Sequence, residues 1–351
     1  MKIKKVCLMA ASLIVAGAAI ATSACSSKAN GGKLVVSTFG ILTKQMRSDV
    51  LNPFAKKNNV KVSAQFTADT TTSLTQIEHN PNSSVDVIEV AQKNAYAGTK
   101  KKLYKKVDFS KIKDFKYLSS SEQKLAKDTG TVPYTVNSVG IIYNPKKVHI
   151  TEWDQLWSKK LKGKIAIPDI VTTFGPAMLY IAGRHAKVDV PSDGGKAAFK
   201  AMKELKPNVV KTYDQSSDLT NMFKTGEISV AVVGDYAISM LQATNPGLKY
   251  IVPASGTYSN SNVVAILKNS KNTDAAYKYI NFRLSEAIQK RCASAKSLNN
   301  APVNTQVKLT PAEAANKTYG DVAKRAKSMN FFYVNSHLSS WVNQWNKIMN
   351  R

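Results

Sequence analysis

Metal-ligating and nucleophilic side chains are scarce in this 351-residue chain, which has three cysteines (Cys7, Cys25, Cys292) and four histidines. The histidines, His79, His149, His185 and His337, are scattered, and none has a second His or Cys at ligand spacing, so no metal site is expected. No G-x-S-x-G elbow, Walker loop or G-x-G-x-x-G fingerprint is present; Gly194-Gly195-Lys196 lacks both the upstream glycine and the following hydroxyl of a phosphate loop. Acidic residues are outnumbered, 23 against 50 Lys and Arg, and no spacing selects a carboxylate pair for acid–base work. Catalytic residues, resident metals and cofactors are therefore all expected to be absent. Low-complexity tracts and internal repeats are missing too.

The one long apolar run is "MKIKKVCLMAASLIVAGAAIATSAC" at the start. Its basic head, uncharged centre and small-residue end make residues 1–24 a secretory signal and not a membrane span. Cleavage before Cys25 resembles the lipobox of bacterial lipoproteins, although Thr22 stands where that pattern carries an aliphatic residue. The resemblance implies that Cys25 is lipidated and holds the exported protein on the outer face of the cell membrane. Residues 25–32, "CSSKANGG", read as a flexible tether. Cys7 leaves with the signal and Cys25 is acylated, so Cys292 has no partner and no disulfide framework exists.

The formal charge of +27 falls to +24 once Lys2, Lys4 and Lys5 leave with the signal. Such a surplus points to nucleic acid in a cytoplasmic protein; export removes that partner. Runs such as "GTKKKLYKK" (98–106) read instead as solvated basic faces towards anionic wall and headgroups. At roughly 320 mature residues the chain is expected to split into two domains.

Apolar strands recur along the chain: "KLVVSTFG", "VKVSAQF", "VDVIEVA", "SVGIIYN", "GKIAIPD", "SVAVVGD", "LKYIVPA" and "SNVVAIL", most separated by helix-compatible segments. That alternation specifies an α/β protein with sheets buried between helices. The segment 273–296 reads as one helix with Ala276, Tyr279, Ile280, Leu284 and Ile288 on its apolar face, and Cys292 continues that face as a core residue. Trp153 and Trp157 are expected to pack a helix onto its lobe, and Trp341 and Trp345, spaced i,i+4, to dock the terminal helices.

Seven segments in order, "LVVSTFG", "NPFAKKNNVKV", "VDVIEV", "VPYTVNSVGIIYN", "WDQLWSKKLKGKIAIPD", "MFKTGEISVAVVGDYA" and "DAAYKYINFRLS", resemble the solute-binding proteins of ABC importers, in the class that includes polyamine, thiamine, ferric-ion and phosphonate binders. The resemblance implies a two-lobed, periplasmic-binding-protein-like fold of type II. Each lobe is then a mixed, mostly parallel sheet flanked by helices, lobe 1 from residues 33–135 and 262–305 and lobe 2 from 136–261 and 306–351. Crossings are implied near Tyr134 to Asn137 and Tyr258 to Asn262, with hinge closure on the solute. It implies a monomer that captures a small molecule and delivers it to membrane permease subunits.

Ligands of open α/β sheets bind beyond the carboxyl ends of the strands. That rule and the resemblance together select Thr38, Phe39, Gly40, Gln92, Tyr134, Asn137, Asp169, Thr172, Thr173, Asp235, Tyr236, Asn260 and Asn262. Asp169 reads equally as a helix cap, Phe39 also as a core aromatic, and Thr172 and Thr173 also as caps. Lys93 lies near another contact position. Against the polyamine pattern, Phe39 and Asp169 match, whereas Gly234 stands where a tryptophan is usual, and Asn260 and Asn262 where an aromatic and an acid are usual. The paired tyrosines of ferric binders are missing. A polyamine-like organic cation is the first expectation. A phosphonate, thiamine-like or amino-acid-like solute is the alternative, and a surface adhesin or scaffold on the same fold is a third.

Overall fold

Alternating apolar stretches build the two edges of a mixed sheet, and two long strands join them. The computed structural model describes residues 32–80 and 82–349; the expected signal sequence and Cys25 lie outside these residues. β1 (Lys33–Phe39) and β2 (Lys61–Thr67) pair in parallel, Lys33 opposite Lys61, with the helix Asn52–Asn58 between them in sequence, which is the expected βαβ unit. β3 (Val87–Ala91) pairs in parallel with the other edge of β1 and is buried along its whole length, Glu89 included.

β4 (Val132–Tyr143) and β9 (Thr257–Ile266) connect the halves. They run antiparallel to each other over Val132–Ser138, after which β4 pairs with β7 (Val230–Gly234) from Val139 onwards. β7 is parallel to β5 (Ile165–Pro168), and β5 to β6 (Val209–Tyr213). The order is β2-β1-β3-β9-β4-β7-β5-β6, with β8 (Lys249–Ile251) added to β4 and β10 (Ala326–Ser328) to β9. Separate cores form on the two sides. One gathers Leu34, Val36, Phe54, Tyr279 and Ile280, and the other Ile141, Leu156, Ile165, Met178, Trp341 and Trp345.

Three local readings are corrected. Trp153–Trp157 is a 3-10 turn and not an α-helix, because the Glu152–Gln155 capping box closes it tightly and both indoles are tied down, Trp153 Nε1 to the Gly256 carbonyl and Trp157 Nε1 to the Ala201 carbonyl, each at 2.8 Å. The chain then turns at Gly163 (φ 61°), whose left-handed backbone suits glycine, and enters β5. The single helix expected over 273–296 is two, Thr273–Leu284 and Glu286–Ala293, broken where Ser285 adopts an extended ψ of 140°. The expected apolar face survives the break, and Cys292 is buried on it. Finally, β6 and β10 were not legible as strands. β6 keeps only its two ends buried, the pattern of an exposed edge.

Candidate functional site

Between the two cores lies a cleft of about 960 Å³, lined from both lobes. Its walls carry Thr38, Phe39 and Gly40 from the end of β1, Phe66 and Asp69 from the end of β2, and, opposite, Val171 to Phe174 after β5, Asp214 to Ser217 after β6, and Tyr236 after β7. Strand ends thus converge from both sheets, as open α/β architectures dictate.

The floor is a buried charged network. Glu89 on β3 takes Arg283 Nε at 2.8 Å and the Tyr279 hydroxyl at 2.7 Å on Oε1, and the Thr38 hydroxyl at 2.6 Å on Oε2. The Arg283 guanidinium lies 3.9 Å from the centre of the Tyr134 ring. Glu89 and Arg283 therefore neutralise each other, and Thr38 and Tyr134 serve this network from the cleft surface.

Ten of the thirteen residues expected to contact ligand line the cleft: Thr38, Phe39, Gly40, Tyr134, Asn137, Thr172, Thr173, Tyr236, Asn260 and Asn262. Asn260 Oδ1 accepts from Gln92 N at 3.0 Å and its Nδ2 donates to Asn262 at 2.9 Å, so the pair is oriented along β9. The Tyr236 hydroxyl is 3.0 Å from Ser216 Oγ. Gly234 precedes this wall. A Cβ there would meet Tyr236 at 2.5 Å and Phe174 at 2.6 Å, so these two rings take up the space that a larger side chain would need.

The other three residues do not line the cleft. Gln92 is buried behind it, donating to Ser328 at 3.0 Å and accepting from Ser261 N at 3.2 Å. Asp169 Oδ1 accepts from Val171 N at 3.2 Å and Oδ2 from Trp345 Nε1 at 3.1 Å, which fixes the turn after β5. It does not cap the next helix; the Thr172 hydroxyl takes Gly175 N there at 3.1 Å. Asp235 is buried at the strand crossing, where it accepts from Asn137 at 2.9 Å and from Thr318 N and Oγ1 at 2.8 and 2.6 Å. Burial pushes its pKa up to about 6 against these hydrogen bonds.

Two carboxylates overlooked in the sequence, together with Lys93, complete the walls. Asp69 caps the helix Thr70–His79, accepting from Thr71 N and Thr72 N at 3.0 Å each. Burial pushes against ionisation, yet these bonds and Lys93 hold its pKa below the usual value. Asp214, on the other wall, is shifted up by partial burial and by the nearby carboxylates Asp169, Asp218 and Asp69. Lys93 is buried and shifted down by desolvation, which Asp69 opposes. Strand-end position is a signal that points to Asp69; Asp214 was hidden because β6 was not read as a strand. Among the described residues there is no group of three His, Cys, Asp or Glu that could hold a metal ion, and no helix is long and apolar enough to cross a membrane.

Two lobes joined by crossing strands around such a cleft define a solute-binding component of an ABC importer. The chain belongs to the family of bacterial extracellular solute-binding proteins, whose pattern matches residues 49–320. It is 28% identical to the putrescine-binding periplasmic protein of Pseudomonas aeruginosa over 68% of this chain and 71% of that one. It is 22% identical to the spermidine/putrescine-binding periplasmic protein of Escherichia coli over 82% and 83%. Among solved structures, an ABC transporter protein of Clostridium perfringens is 44% identical, with a TM-score of 0.79 over 90% of this chain and all of that one. The spermidine/putrescine substrate-binding protein of Streptococcus pneumoniae, at 18% identity, shares the fold with a TM-score of 0.74 over 91% of this chain and 99% of that one.

Proposed function

We propose that the cleft captures a small organic amine in its cationic form, an alkylammonium of the kind that polyamines present, and that closure of the lobes hands it to the importer's membrane subunits. The observation that carries this reading is the pair of carboxylates on opposite walls, Asp69 and Asp214, with Asp69 contributing to the field that raises the Asp214 pKa, in a chain of net charge +27. Phe39, Phe66, Phe174 and Tyr236 surround them, and an alkylammonium needs both anionic acceptors and aromatic faces. Relatives named for putrescine and spermidine support the same chemistry. The moving bodies are residues 33–135 with 262–305 and 136–261 with 306–351. The protein acts as a monomer without turning its solute over, and Cys25 carries the lipid that keeps it at the outer face of the membrane.

A thermal-shift screen of residues 32–351 against diamines, monoamines, thiamine, phosphonates and amino acids tests the ligand class. An amine is expected to raise Tm, because a ligand bound only by the folded state adds RT ln(1 + [L]/Kd), about 2.7 kcal/mol at a hundredfold excess over Kd. A response confined to phosphonates would overturn the reading, and no response to any small solute would favour an adhesin or scaffold. Anchoring is checked separately: Cys25→Ala should release the protein into the medium.

A further inference from the structure

The ionisable groups of the cleft leave room for fewer positive charges than a diamine brings. Glu89 and Arg283 neutralise each other, which leaves Asp69, Asp214 and Lys93 among the charged lining residues. Lys93 is the second residue of the helix Gln92–Lys100 and is 5% exposed. Its ammonium reaches across the cleft to donate to the Val171 carbonyl in the other lobe and is in no ion pair among the described residues. The backbone beneath it is clamped: Asn335 Nδ2 donates to the Lys93 carbonyl at 3.0 Å, and Gln92 N donates to Asn260 at 3.0 Å. The side chain is thus held where it presents an ammonium to a carbonyl, within the field of Asp69. Those are the interactions that one end of a bound diamine would make.

We infer that Lys93 determines specificity by acting as a tethered ammonium that fills the subsite of a second cationic end, so that the cleft takes amines bearing a single positive charge. This inference rests on the organic-amine reading above and narrows it. A second free ammonium would be forced next to the Lys93 charge inside a partly desolvated cleft, where like charges repel strongly. A neutral or anionic tail meets no such penalty. Removing the lysine charge vacates a position already furnished with the Val171 carbonyl and Asp69.

Calorimetric titration with putrescine and with 4-amino-1-butanol, equal in carbon number but different in charge, tests this on the wild type, Lys93→Met and Lys93→Arg. The wild type and Lys93→Arg should prefer the aminoalcohol. Lys93→Met should reverse the order, with putrescine gaining at least about tenfold. Wild type binding putrescine as tightly as the aminoalcohol, or a ratio unchanged in Lys93→Met, would overturn the assignment while leaving the amine reading intact. Binding of neither amine by the wild type or by either variant would overturn the amine reading and this inference with it. Thermal melts establish that each variant is folded, and Lys93→Arg retains the charge should the methionine variant fail to fold.

Discussion

Arg283 Nε donates to Glu89 Oε1 at 2.8 Å, with the two side chains 2% and 1% exposed. The pair sits under the cleft between the helix Thr273–Leu284 and β3, so it ties the floor of the site to the core of its lobe. Glu89→Gln strands a guanidinium in a buried position, and losing one partner of such a pair costs about 3–5 kcal/mol. Urea unfolding should register that loss. The double variant Glu89→Gln with Arg283→Met should recover part of it, because no uncompensated charge remains. A single variant as stable as the wild type would mean that Arg283 finds another acceptor.

Asp214 and Asp169 make different predictions although both are acids at strand ends. Asp214 is exposed on the cleft wall without a salt bridge among the described residues. Asp214→Asn should therefore weaken amine binding by up to about fivefold, the modest size expected of a solvent-screened charge, with Tm unchanged. Both oxygens of Asp169 are committed to Val171 N and Trp345 Nε1. Asp169→Asn should lower Tm more than affinity. Calorimetry and melting curves on the two variants separate these outcomes, and the reverse pattern would move the ligand to the Asp169 side.

Asp235 gives the strand crossing a pH dependence. Its folded pKa, about 6, lies above the ordinary carboxylate value of 3.8 because burial penalises the carboxylate. The folded state therefore binds the proton more tightly than the unfolded state. The associated stabilisation is fully present below 3.8 and is lost as pH rises through 6, a change of about 3 kcal/mol. The unfolding free energy of the wild type relative to Asp235→Asn should fall by that order between pH 4 and 7. A difference that is flat with pH would show that the Asn137 and Thr318 donors fully offset desolvation.

The fold was legible wherever a strand was rich enough in apolar residues to stand out, as in "VDVIEV" and "SVAVVGD", and less so where polarity masked it. β4 begins at Val132, six residues before the "SVGIIYN" read as its strand, because Thr135, Asn137 and Ser138 face the lobe crossing and break the apolar pattern. β6 is an exposed edge strand, and missing it concealed Asp214. Glu89 and Arg283 could not be paired from sequence. They are 194 residues apart, and each looks like an ordinary surface charge until β3 and the helix Thr273–Leu284 bring them together. Thr38, Phe39, Gly40 and Tyr236 could be placed beside the cleft because they sit at or just beyond strand ends, whereas Tyr134, Asn137, Asn260 and Asn262 lie inside β4 and β9 and came from the family resemblance.

Gly234 tests whether the aromatic wall matters to binding. A methyl group at this position would sit 2.5 Å from Tyr236 Cε1 and 2.6 Å from Phe174 Cε2, too close for either ring to stay in place. Phe174 is packed in the core of its lobe, so the more exposed Tyr236 is the ring expected to yield, breaking its 3.0 Å contact with Ser216. Overpacking of this kind costs about 1–3 kcal/mol. Gly234→Ala should lower Tm and weaken amine binding together, because Tyr236 and Ser216 both line the cleft. Tyr236→Phe separates the two effects: the ring remains and only the hydroxyl contact is lost, so affinity should fall less than in Gly234→Ala. Unchanged affinity in Gly234→Ala, measured by calorimetry on protein shown to be folded, would place the solute away from the Phe174–Tyr236 wall.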